Sequence, residues 1–110
     1  MITDLFYSIL KWRKKRQFKK NAHVNVSNIL ITDKANVFLR WGSTPDDIVI
    51  EDGCIVEGTL LSAAHGKITM GKHSKIGSNS HIRCVDKVVL GDYSAIANNT
   101  VICDNNNHPV

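Results

Sequence analysis

Ile68-Thr69-Met70-Gly71-Lys72-His73-Ser74-Lys75-Ile76-Gly77-Ser78-Asn79-Ser80-His81-Ile82 places a large apolar residue at every sixth position: Met70, Ile76 and Ile82. The following stretch repeats the step with Leu90, Ile96 and Ile102, and the preceding one opens it with Ile50 and Val56. One residue after the apolar one stands a small or acidic residue: Glu51, Glu57, Gly71, Gly77, Gly91, Ala97. Four residues after it stands another small one: Cys54, Ser74, Ser80, Ser94, Thr100. A longer period of 20 overlies the step of six. Ile48-Val49-Ile50, Ile68-Thr69-Met70 and Val88-Val89-Leu90 are related by it, and the same spacing would align Ser62 with Ile82 and Ile102.

A fixed internal period signals a stacked repeat architecture. A six-residue step is one short strand and a bend. Three such steps close a triangular coil of about 18 residues, and stacked coils pair their strands about 4.8 Å apart. One aliphatic residue per step then points to the axis. The second inward position lies at a corner, where a small side chain fits, and the glycine-rich position is expected to ease the bend. A period of 20 leaves about two extra residues per coil. They fall around Ala63–Lys67 and Cys84–Lys87, on the same side of successive coils. A helix is excluded because a step of six is not a helical face and Gly, Asn and β-branched residues crowd the segment. The expected fold is all-β: a parallel β-helix.

Outside the clear repeats, Val24, Val26, Ile29 and Ile31 alternate as short strands do, and Ile31 to Val37 is a weaker copy of the six-residue step. Trp41-Gly42-Ser43-Thr44-Pro45-Asp46 reads as a turn or excursion. Residues 3–20 read as a helix, capped by Thr3 or Asp4, with Leu5, Ile9 and Trp12 on one face beside Phe6 and Leu10. The chain thus divides into a basic amphipathic helix, 1–22, and a β-helix domain, 23–110.

Charge divides the same way. Residues 1–20 carry +6, whereas residues 21–110 carry −2. The basic helix has two compatible readings: a cover over the open end of the coils, or a peripheral contact with anionic lipid through residues 1–20. A nucleic-acid partner is not expected, since the main body has no basic face. Three cysteines, with no C-x-x-C, fit buried free thiols in a reducing compartment rather than a disulfide frame or a zinc ribbon. No run is long enough to span a membrane and no secretory signal is present, so the expected location is cytoplasmic, at the inner membrane face if the helix binds lipid.

The repeats of residues 48–102 resemble those of bacterial hexapeptide-repeat acyltransferases, about half the chain. The resemblance implies a left-handed parallel β-helix, an exception to the right-handed crossover preference, and it implies a homotrimer with acetyl-CoA as co-substrate. The tail, Ile102-Cys103-Asp104-Asn105-Asn106-Asn107-His108-Pro109, resembles the segment of sugar, capsule and lipopolysaccharide O-acetyltransferases in which an Asp-containing loop leads into His-Pro. That likeness implies transfer of acetyl to a sugar hydroxyl in cell-surface polysaccharide biosynthesis, with His108 as general base, since imidazole titrates near neutral pH. Asp104 or a backbone carbonyl would fix its tautomer. Asp104, Asn107, Asn79, His81 and Arg83 are the expected acceptor contacts. Without the resemblance, the tail reads equally as a turn followed by a surface histidine.

His65, His73 and His81 are eight apart, which does not match the coil step, so they are expected to point in different directions. The γ-class carbonic anhydrases, metal-binding relatives on this fold, use three histidines across a subunit boundary. Their pattern is not found here, and no metal is expected. Family members continue beyond the His-Pro segment into coils that hold most of the donor contacts, so the donor site is expected beyond residue 110 and this 110-residue chain alone is expected to turn over weakly or not at all. The alternative is a non-enzymatic β-helix that serves as an oligomerisation or interaction module.

Overall fold

The computed structural model describes residues 13, 16–18, 20–24 and 28–104. Twelve short strands follow one another: β1 (His23–Val24), β2 (Leu30–Ile31), β3 (Asn36–Arg40), β4 (Ile48–Ile50), β5 (Ile55–Val56), β6 (Thr59–Ala63), β7 (Lys67–Met70), β8 (Lys75–Ile76), β9 (His81–Cys84), β10 (Lys87–Leu90), β11 (Ala95–Ile96) and β12 (Val101–Cys103). Every third strand pairs in parallel. Sheet A is β1-β4-β7-β10, sheet B is β2-β5-β8-β11 and sheet C is β3-β6-β9-β12. From β1 to β10 the chain winds through three turns, so the fold is an all-β parallel solenoid with three faces.

The register explains why the six-residue step folds this way. Val24, Ile50, Met70 and Leu90 are partners on sheet A. Ile31, Val56, Ile76 and Ile96 are partners on sheet B, and Val37, Leu60, Ile82 and Ile102 on sheet C. From β2 onward like aliphatics stack on like along the axis, and Ile50, Val56, Leu60, Met70, Ile76 and Ile82 are fully buried. Each such side chain contributes roughly 1.5–3 kcal/mol of burial. Ile96 and Ile102 are only partly buried, because β11 and β12 are the last described rungs of their sheets.

The corners follow a second rule. Three residues after Ile50, Met70, Ile76, Leu90 and Ile96, the backbone turns left-handed, at Gly53, His73, Asn79, Tyr93 and Asn99. The small residue that comes next points inward, and Cys54, Ser74 and Ser80 are buried there. Gly71 and Gly77, expected to ease the bend, are instead sites of close approach. A side-chain carbon on Gly71 would come within 2.7 Å of the Leu90 carbonyl oxygen, and one on Gly77 within 2.8 Å of the Asn98 nitrogen.

One alignment of the 20-residue period is corrected. Leu60, not Ser62, sits opposite Ile82, and Ser62 sits opposite Cys84. The corner between Val56 and Leu60 is two residues shorter than the corner between Ile76 and Ile82, so sheet C steps by 22 there while sheets A and B keep 20. The longer Leu side chain reaches the axis, while the Ser62 hydroxyl donates to the Gly66 carbonyl at 2.5 Å in the corner. The extra residues lie where the spacing put them, on the corner from sheet C to sheet A.

Of the N-terminal helix, Arg13, residues 16–18, Lys20 and Asn21 are described, and they are helical. Phe18 is fully buried and joins the core cluster with Ala22, Ile29 and Ile31, so this part of the segment packs against the first coil. Thr3, Asp4, Leu5, Phe6, Ile9, Leu10 and Trp12 lie outside the described residues. Among those described, no helix is long and apolar enough to cross a membrane.

Candidate functional site

Because side chains alternate across a strand, the residues between the inward aliphatics of sheet C form two outward ladders. One runs Asn36, Thr59, His81, Val101; the other Phe38, Leu61, Arg83, Cys103. Two hollows lie along this face. Toward the corner with sheet B is a polar hollow of about 420 Å³, lined by Lys34, Asn36, Thr59, Ser78, Asn79 and His81. Toward the corner with sheet A is a more apolar groove of about 540 Å³, with Leu61, Ala63 and Val85 beside Arg40, Trp41 and Arg83. The structure therefore brings Asn79, His81 and Arg83 to one surface, His81 and Asn79 in the first hollow and Arg83 in the second. Asn79 also donates from Nδ2 to Asn99 Oδ1 at 2.7 Å, a link between successive corners.

Asp104 follows β12 directly. Its carboxylate accepts the backbone N–H groups of Val85, Asp86 and Lys87 at 2.9, 2.9 and 2.7 Å, and the Cys84 thiol at 3.4 Å. Burial opposes its charge, but these donors outweigh burial and lower its pKa. Asp104 thus clamps the corner of the preceding coil, and both of its oxygens are engaged. Burial, helped by the same carboxylate, pushes the Cys84 thiol up to about 12, so Cys84 is a neutral, inert thiol. Of the free cysteines, Cys54 and Cys84 are buried and Cys103 is exposed on sheet C. His108 and Asn107 lie outside the described residues, as do Asn105, Asn106 and Pro109.

A constellation not singled out by the repeat lies at the neighbouring corner. The chain leaves sheet C after Arg40, makes an excursion through Trp41–Thr44, and returns by a short 3-10 turn, Pro45–Asp47, that brings Asp47 into the interior. Asp47 is 1% exposed. Its carboxylate accepts the Thr44 N–H at 2.8 Å, lies 3.2 Å from His65 Nδ1 and pairs with Lys67. Burial opposes the charge, yet the hydrogen bonds from Lys67, Thr44 and His65 win and bring the pKa down to about 2. A buried carboxylate beside Nδ1 favours the tautomer that leaves Nε2 unprotonated. His65 is mostly exposed, so that nitrogen is available at the surface, next to Gly42. This is the arrangement of an oriented imidazole base. Ser43 does not complete a triad, since its hydroxyl oxygen accepts the His65 backbone N–H at 2.9 Å. The signal in the sequence was slight: Asp47 precedes Lys67 by 20 residues, one coil.

The three central histidines do diverge. His65 lies at the corner between sheets C and A, His73 stacks on Tyr93 at the corner between A and B, with centroids 5.1 Å apart, and His81 faces outward on sheet C. Among the described residues, no three His, Cys, Asp or Glu side chains converge as a metal site would require. No protein-family model, no curated protein and no solved structure matches the chain.

Proposed function

We propose that this protein is an acyl-CoA-dependent O-acetyltransferase of the hexapeptide-repeat type, which moves acetyl from acetyl-CoA to a sugar hydroxyl in the biosynthesis of a cell-surface polysaccharide. The observation that carries the reading is the position of Asp104. It anchors the start of the Asp-Asn-Asn-Asn-His-Pro segment at the end of sheet C, the face that bears both hollows and the Asn79, His81 and Arg83 side chains. In this reading His108 takes the proton from the acceptor hydroxyl. The hydroxyl oxygen attacks the thioester carbon, the C–S bond breaks, and the departing thiolate takes the proton from the imidazolium. General base assistance of this kind is worth roughly 10²–10⁴ in rate. The reading carries with it a left-handed coil, a homotrimer, and peripheral contact of the basic segment with the inner face of a membrane.

The test is release of free CoA thiol from acetyl-CoA with a panel of sugar acceptors, using the protein at its natural length. His108→Ala should lower the rate at least about a hundredfold while the far-ultraviolet circular dichroism is unchanged. If the unaltered protein releases no thiol with any sugar, the enzymatic reading fails and the solenoid is an interaction module.

A further inference from the structure

We infer that the groove at the corner of sheets C and A is the acceptor subsite and that the acceptor is an acidic sugar, one bearing a carboxylate on or beside the ring that stacks there. The inference deepens the acetyltransferase reading and rests on it only for the word acceptor.

Trp41 is the starting point. It is 79% exposed, and its backbone is left-handed at φ 49°, a conformation that a bulky side chain rarely adopts. Solvation and local backbone preference both oppose this placement, so the surrounding structure must impose it. The bonds that do so are specific. The Arg40 carbonyl accepts the N–H groups of Ser43 and Ala64 at 3.1 and 3.2 Å. The Ser43 hydroxyl donates to the Ser62 hydroxyl oxygen at 3.0 Å and accepts the His65 N–H at 2.9 Å. Left-handed backbone recurs at other corners of the coil, so what sets Trp41 apart is a large exposed side chain on a hydrogen-bonded excursion. What the excursion delivers is an indole face at the rim of a groove.

The rest of the groove gives the chemistry. Leu61 and Ala63 of β6 form an apolar floor with Val85. Arg40 on β3 and Arg83 on β9 stand on the two strands that flank β6, opposite Ala63 and Leu61, so two guanidinium groups border the floor, with their backbones about 12 Å apart. The Phe38 ring lies 5.0 Å beneath the Arg40 guanidinium and backs that group. Among the described residues no Asp or Glu lines the groove, and the neighbouring Asp104 carboxylate is taken up by the Val85, Asp86 and Lys87 N–H groups and the Cys84 thiol. An aromatic face suits the apolar C–H face of a pyranose, and guanidinium groups suit a planar carboxylate, which they can bind through paired hydrogen bonds. A neutral sugar would leave the two cations without a counter-charge. The polar hollow with Lys34, Thr59 and His81 continues along the same face and would take the hydroxyls of the neighbouring residue in a chain.

The experiment titrates Trp41 fluorescence in a Trp12→Phe background, where it is the only indole. The probes are a hyaluronan hexasaccharide, which carries glucuronate, and chitohexaose, which is neutral and of the same length. Binding of hyaluronan should be at least about tenfold tighter than that of chitohexaose at low salt and should weaken as salt rises. Arg83→Gln should erase the preference, and Trp41→Ala, followed by calorimetry, should weaken both. Equal affinity for the two sugars, no saturable change with either, or saturable binding of decanoate in place of sugar would overturn the proposal. So would self-association that Arg83→Gln abolishes, which would assign the groove to a second copy of the chain. Acetyl transfer restricted to neutral acceptors would sink the acidic class and leave the acetyltransferase reading standing. Preferential binding of hyaluronan with no release of CoA thiol would do the reverse.

Discussion

Asp47 carries the largest electrostatic commitment of any described residue, since it is charged while almost wholly enclosed. Its folded pKa of about 2 lies below the ordinary carboxylate value of 3.8, so its stabilising effect is present above that higher value and disappears as pH falls toward 2. The shift corresponds to about 2 kcal/mol at most, less whatever water removes by screening Lys67 and His65, which are mostly exposed. Urea unfolding of the native chain and of Asp47→Asn should therefore differ in pH dependence. The native protein should lose about 1–2 kcal/mol more than the variant between pH 4 and pH 2, and parallel curves would contradict the ion network. Cysteine chemistry separates by residue as well. Cys103 is exposed, while Cys54 and Cys84 are buried, the Cys54 thiol donating to the Gly71 carbonyl at 3.1 Å and the Cys84 thiol to the Asp104 carboxylate at 3.4 Å. An aromatic disulfide reagent at neutral pH should modify one thiol in the folded protein, Cys103→Ser should abolish that reaction, and the other two thiols should react only after unfolding.

At the scale of the element, the corners and not the strands limit what the sequence can change. Most strands are two to five residues long and would be marginal alone. Their alignment depends on corners that let backbones approach. Gly66 illustrates the demand: a side-chain carbon there would lie 2.3 Å from the Cys84 carbonyl oxygen, a backbone atom that cannot swing away. Gly66→Ala should cost roughly 1–3 kcal/mol, read as a lower denaturation midpoint, whereas Ala64→Gly, at a left-handed position two residues before it, should be neutral or stabilising. Polar side chains also tie corner to corner. Asp92 accepts the Lys72 N–H at 2.8 Å, and Asn98 accepts the Ser78 N–H at 2.9 Å. With Asp104, they make each coil a cap for the backbone of the one before it.

Across the whole molecule, stability resides in contacts between neighbouring coils, as in other stacked repeats. Ile82 is fully buried between Leu60 and Ile102 on the axis. Ile82→Ala should cost roughly 2–5 kcal/mol through lost burial and an unfilled cavity, read as a lower midpoint in calorimetric unfolding, and an unchanged midpoint would contradict the axial stack.

The sequence by itself determined the solenoid, because one inward aliphatic per six residues leaves a single way to bury all of them: a coil whose sides stack. It also located the long corner and brought Asn79, His81 and Arg83 to attention, since side-chain alternation on one strand and its corner follows from local geometry. The tertiary structure decided what depends on neighbours in other coils. Leu60 rather than Ser62 fills the axis because a shortened corner shifts one rung by two residues, and a strict period cannot reveal a deletion that the next corner restores. Asp47, His65 and Lys67 meet only because an excursion of the first coil folds onto the second, bringing together residues about 20 positions apart whose types carry no periodic signature. Asp104 was read as a sugar contact or a partner of His108. Its engagement with three amides of the preceding coil depends on stacking, which local sequence does not encode.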